Sequence, residues 1–417
     1  MKPLLATMLL SVAPVLAAEP ITTAANAINT LGVELLHRTG SATENALLSP
    51  YSIQSALVLT CVGAAGDTRA EMGKVLHYPA DDTEVQRSFA ALRGSLANIV
   101  QNSARDAEQM RQWGGKTDLI SLTMANRLFG QTGYAFREPF LALVKKEYDA
   151  PFEPLDFARS ASAATKHINT WVEDQTRKRI RNLIPDGGLN DRTRLVLVNA
   201  IYLKAPWASE FSVSATEPQP FHLGVHNLCR VPTMTQRASL SYTRRHDCTV
   251  LAIPYRGGEL QFLIVLPEKV DGLTAVEKSL TPQLLADWAR LDRQEVILYL
   301  PKFKLEPPGL SLGRELQALG MKSAFDQPIG SANFDRIAPR RPNEYLYLSE
   351  VFHQTFLKLD ETGTEAAAAT AVVMAPTSGA RRPIEPVAVR VDHPFLFAIQ
   401  HRASGACLFL GRVTDPR

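Results

Sequence analysis

Cysteine is scarce in this chain, with four in 417 residues. So few thiols cannot brace a fold of this length, which excludes the disulfide-rich secreted scaffolds. Cys61 and Cys407 sit in apolar runs and are expected in the core, while Cys229 and Cys248 flank a hairpin and their pairing stays open. Metal-binding spacings are missing too. The nine histidines are scattered, with no HExxH and no paired CxxC, so neither a metal site nor a cofactor is expected. There is no glycine-rich phosphate loop and no nucleic-acid module, and a net charge of +3 names no partner. Past the first residues no apolar run is long enough to span a bilayer, so no membrane segment is expected. Asn-x-Ser/Thr sequons are absent, which is compatible with a bacterial source. A chain this long ordinarily suggests two or three domains, yet no linker, repeat or mid-chain change in composition marks a boundary.

What is present is ordinary globular sequence, 45% hydrophobic and 21% charged. It follows a leader over residues 1–18: Met1-Lys2, an apolar run over 4–16, and a small-residue cleavage site at Val15-Leu16-Ala17 or Leu16-Ala17-Ala18. That order marks export, to the periplasm or the medium. Helical spacing runs over 24–38, 54–62, 139–148, 161–179 and 315–321, and two further helices precede residue 296. Strand character falls at 121–129, 195–203, 296–303 and 345–359, and a hairpin covers 250–268. The densest basic cluster, Arg177-Lys178-Arg179 with Arg181, suits a polyanion less well than a solvated helix end.

One stretch does not fit an ordinary core. Between strand-like ends at Leu357 and Leu359 and at 387–391 lie about twenty-five small, polar, proline-punctuated residues. A connector that long inside a compact domain is functional or disordered. With period two, one face carries Thr364, Ala366, Ala368, Thr370, Val372 and Met374, the other Glu365, Ala367, Ala369, Ala371 and Val373. No charge or proline interrupts the first face before Pro376, so the segment suits both an exposed loop and a central strand. It is a bistable element.

Glu361-Thr362-Gly363-Thr364-Glu365, followed by Ala366, Ala367, Ala368, Ala369 and Thr370, resembles the hinge of the reactive-centre loop of inhibitory serpins. His393-Pro394-Phe395-Leu396-Phe397 resembles that family's C-terminal strand, and the likeness extends from about Thr30 to Pro416. The resemblance implies an α+β serpin fold, a single domain over 19–417 with three β-sheets and about eight or nine helices. It implies an exposed reactive loop over about 361–386. By the same resemblance the protein is a monomer and not an enzyme. Its partners are serine proteases, elastase- or subtilisin-like first, with trypsin-like or cysteine proteases as further targets. The family's spacing, counted from Gly363, puts the reactive bond at Thr377–Ser378, with Met374, Arg381 and Arg382 as alternatives. Ser49, Ser52, Asn199 and His353 match the cluster behind the point where the family's central sheet parts, and Trp207, Lys302 and Glu361 match the top of that opening. Ala205 stands where the family usually has glycine, a departure taken to affect a turn. Non-inhibitory members, acting as carriers or chaperones, often have bulky or charged hinge residues or proline; the four alanines here favour inhibition.

The rival from another class is an esterase. Gly309-Leu310-Ser311-Leu312-Gly313 matches the G-x-S-x-G elbow, with His353 and His393 as bases. Glu306-Pro307-Pro308 break the strand that must lead into such an elbow, and the family resemblance makes this position a helix start.

Overall fold

Unbroken apolar runs build the most buried layer. Leu260–Pro267 is buried at every position and Cys248–Pro254 at all but the last, as strands covered on both faces require. The structure, a computed structural model, describes residues 21–113, 119–245, 247–342, 344–365 and 385–417. In a nine-stranded sheet these two strands lie between Phe395–His401 and Asn227–Arg244, with Arg293–Pro301 and Val387–Arg390 continuing to one edge. A six-stranded sheet runs in the order Phe303–Leu305, Leu357–Asp360, Gly363–Thr364, Leu195–Pro206, Ser121–Gln131, Phe152–Leu155. A third pairs Leu310–Ser311 with Phe352–His353. With nine α-helices among the described residues, the expected α+β fold of three sheets is observed.

The six-stranded sheet is covered on both faces. Beneath it lies Pro50–Gly63, buried along almost its whole length, with Ser49 as its N-cap and proline in its first turn. Above it lies Phe157–Gln175, whose Ile168 and Val172 share a core with Val196, Val198 and Ala200 of the central strand. Ile180, Leu183, Ile184 and Leu189 of the following segment belong to the same core. Among the described residues no helix is long and apolar enough to cross a membrane, and no group of metal-ligating side chains forms.

Several expectations are corrected. Strand character over 345–359 is realised only at Phe352–His353 and Leu357–Asp360; Tyr347 to Val351 line a cleft instead. The exposed loop does not start at Glu361, because Glu361, Thr362, Thr364 and Glu365 are all buried. Ala205 stands in a strand, not a turn. The helix expected to reach Arg179 ends at Gln175. All four cysteines are free, so Cys229 and Cys248 do not pair. The expected leader over 1–18 and the segment 366–384, with Ala366, Ala367, Ala368, Ala369, Thr370, Met374, Thr377, Ser378, Arg381 and Arg382, lie outside the described residues.

Candidate functional site

Gly363 and Thr364 are threaded between two longer strands. Gly363 opposes Asp360 on one side and Pro206 on the other, and Thr364 opposes Leu359 and Ala205. A Cβ on Gly363, whose φ is +148°, would stand 2.1 Å from the Ala205 carbonyl oxygen and 2.7 Å from Pro206 Cα. Backbone cannot yield that much, so only glycine passes between the strands here. Thr364 then turns inward and shares a hydrogen bond with the Tyr255 hydroxyl. The Tyr255 ring stacks on Trp207 at 4.7 Å. Trp207 Nε1 donates to Asp360 O at 2.9 Å, and its backbone N–H donates to Thr362 O at 3.0 Å. Trp207 is therefore part of the floor on which the hinge rests.

Glu361 anchors the start of the hinge. Its carboxylate accepts from Lys302 Nζ at 2.8 Å and from Thr216 Oγ1 at 2.8 Å. Burial pushes this carboxyl up, but Lys302, the backbone and Thr216 together hold it below its ordinary value.

Lower in the sheet the second group of sequence-identified residues assembles at the start of the Pro50–Gly63 helix. His353 Nε2 accepts from the Ser49 N–H at 3.1 Å, and Ser49 Oγ donates to Leu408 O at 2.7 Å. Ser52 Oγ donates to Asn199 Oδ1, whose amide donates in turn to Asn126 Oδ1. The two serines thus tie the helix start to His353 of the two-stranded sheet on one side and to Asn199 of the six-stranded sheet on the other. Among the described residues no bond joins His353 to Asn199 directly. Between them runs a cleft with Leu195, Leu197 and Asn199 on one wall and Tyr347 to His353 on the other.

The acceptor role requires His353 to be neutral at Nε2, and burial lowers its pKa to about 4. His401, held by Ser95 and Ser404, is lowered to about 4 by the same cause. An unfolded histidine titrates near ~6.5, so between about 6.5 and about 4 the unfolded chain binds more protons. Stability supplied by neutral burial is therefore whole above the unfolded value and lost as pH falls through this window. For His353 the loss by pH 5 is about 2 kcal/mol. Thermal melts from pH 7.5 to 5 are expected to show a falling Tm, with a shallower slope in His353→Gln. Equal slopes in the two proteins refute the assignment.

The esterase geometry is not built. Ser311 is exposed in a two-residue strand, and the helix begins two positions later at Gly313. The His353 ring serves Ser49, and His393 is engaged by Asp392 and the Pro267 carbonyl, each at 2.8 Å. Sequence reasoning missed Asn126, Thr216 and Tyr255, and it read Arg179 only as part of a solvated basic cluster. Asn126, a polar residue inside the strand-like run 121–129, was the only one with a local signal.

A family model described as serpin (serine protease inhibitor) matches residues 26–416. The chain belongs to the serpin family. Leukocyte elastase inhibitor of Xenopus tropicalis is 35% identical to this serpin over 383 residues, 90% of this chain and 94% of that protein. Serpin48 of Tenebrio molitor superposes with a TM-score of 0.77 at 30% identity, covering 96% of this chain and all (100%) of that one. Human thyroxine-binding globulin with its ligand gives 0.77 at 27% identity, covering 95% and 99% of the two chains. Protease inhibition, not catalysis, is the activity in the family's description.

Proposed function

We propose that this serpin is an exported, monomeric suicide inhibitor of elastase- or subtilisin-like serine proteases. The observation that carries the reading is the hinge, with Gly363 and Thr364 seated as a strand at the mouth of the central sheet. A protease accepts the loop as substrate. Its serine oxygen adds to the scissile carbonyl, the C-terminal fragment leaves as the free amine, and the acyl-enzyme remains on the N-terminal arm. That arm extends the seated strand into the sheet. About fifteen residues at ~3.3 Å each carry the protease roughly 50 Å, where distortion stops deacylation.

Thr377–Ser378 is the bond we assign, since Ala375-Pro376-Thr377 suits a small apolar primary pocket. Cleavage at Arg381 or Arg382 gives a longer arm, slower insertion and time to deacylate, so trypsin is expected mostly to turn the loop over. Incubation with elastase is expected to give a complex that survives denaturant and to release a peptide beginning at Ser378. A trapped complex whose peptide begins at Arg382 or Pro383 refutes the bond, and reversible inhibition with an intact loop refutes the mechanism. Likeness to thyroxine-binding globulin supports the second reading, a non-inhibitory carrier. The small hinge residues and the seated strand favour inhibition.

A further inference from the structure

The ladder that seats the hinge runs one residue further, because the Glu365 N–H donates to Lys358 O at 2.8 Å. Thr364 faces inward to Tyr255, and the chain leaves strand geometry at the next residue, where Glu365 sits at φ 49° and turns its carboxylate to the segment that follows the Phe157–Gln175 helix. The neighbouring positions in this lateral row are cationic. Lys304 opposes Lys358, and Lys204 is next to Ala205 on the other flank. Lys304 and Lys358 turn to Glu306 and Asp360. Glu365 is met instead by Arg179, whose Nε bonds its carboxylate.

The pairing is asymmetric, for the Glu365 side chain is 7% exposed and that of Arg179 46%. Arg179 also lies over the Phe356 ring at 5.2 Å, and Arg177 over the Tyr202 ring at 5.1 Å. Between them the chain makes a tight turn, with Arg177 at φ 51° and Lys178 at φ 61°. Two consecutive non-glycine residues in the left-handed region are held against steric preference. The turn directs both guanidinium groups onto the sheet.

We propose that Arg179 is a positioning residue for inhibition, one that captures the Glu365 carboxylate and so sets the register in which the cleaved loop enters the central sheet. The proposal rests on the reading of this chain as a loop-inserting inhibitor. A slip of one residue exchanges the two faces of an incoming strand and turns Glu365 inward, toward Tyr255 and away from its cation. A slip of two keeps the faces but moves the carboxylate about 7 Å along the strand, leaving a buried charge unpaired. Burial already pushes the Glu365 carboxyl up despite Arg179, so this charge tolerates little loss of its partner. Register matters because the side chains that follow, Ala366 to Val373 in sequence, alternate between two faces that must each fit beneath a cover.

The test is a double-mutant cycle on the full chain with Arg179→Gln, Glu365→Gln and both together, scored by inhibitor molecules consumed per protease trapped. Each single variant is expected to raise that number three- to tenfold, and the double no further, while Arg179→Lys recovers part of the loss. The rate of first attack on the loop is expected to hold within twofold. An unchanged consumption number, or a double variant whose effect is the product of the singles, overturns the proposal. If the parent chain traps no protease at all, the inhibitor reading fails. Register is then read separately, from the rise in Tm on loop cleavage, and an identical rise in Arg179→Gln overturns the positioning role. Where Arg179→Gln does not fold, Glu365→Gln and Arg179→Lys carry the same comparison.

Discussion

Thr364→Arg is expected to convert this serpin from inhibitor to substrate, with at least a tenfold rise in inhibitor consumed per protease trapped. Thr364 is 1% exposed and bonded to the Tyr255 hydroxyl, above a stacked Trp207–Tyr255 pair. A guanidinium there loses that bond and enters an aromatic floor, and burying such a charge without a partner costs several kcal/mol. The hinge is then held out of the sheet, insertion after cleavage is slow, and the acyl-enzyme hydrolyses. Gly363→Val is expected to act in the same direction for a steric reason, since its side chain would overlap the backbone of Ala205 and Pro206. Neither change touches the loop sequence a protease reads. The check is an end-point titration with elastase beside a gel, and undiminished trapping by Thr364→Arg would sink the insertion mechanism.

Cleavage of the loop is expected to raise the melting temperature by 10 °C or more, a rough figure scaled from the entropy of unfolding of a chain this size. The reason is visible along the central strand. Of the twelve residues in Leu195–Pro206, only Pro206 and Ala205 are paired to the hinge among the described residues. Leu195, Leu197 and Asn199 face the cleft only partly buried, while Val196, Val198 and Ala200 on the opposite face are fully covered. A strand laid along this edge adds about ten backbone hydrogen bonds, each contributing ~0.5–1.5 kcal/mol. It also buries Val372 and Met374 and covers the two leucines. Ordering the arm opposes this with its backbone entropy, so the rise depends on small residues that enter without strain. Calorimetry on intact and loop-cleaved protein checks the outcome, and equal melting temperatures would show that the cleaved arm stays outside the sheet. In Thr364→Arg the difference is expected to shrink to a few degrees.

Much of this is legible in the order of the residues. The period-two alternation from Thr364 to Met374, the run of alanines and the absence of proline before Pro376 carry a strand's requirements in the chain itself, because alternation needs only the backbone's own geometry. The same holds for Ser49 with Pro50, where a helix start depends on neighbours within one turn. The likeness to serpins placed Trp207, Lys302 and Glu361 together; Lys302 bonds Glu361, while Trp207 holds the neighbouring Asp360 and Thr362 carbonyls. Contacts between distant segments are of another kind. Glu365 lies 186 positions from Arg179, and Thr364 lies 109 from Tyr255. No local pattern pairs an exposed-looking basic cluster with a carboxylate that is buried only when a strand from elsewhere arrives beside it. Ala205 reads as a turn residue along the chain, and only the strand register sets it opposite Thr364. The β-prone residues from Tyr347 to Val351 form no ladder, since strand propensity records fitness for a half-buried surface and the wall of a cleft provides one equally well. Local order thus marks a segment whose residues suit both a loop and a strand; the contacts that hold its first residues in place are long-range, and only the folded sheet brings them together.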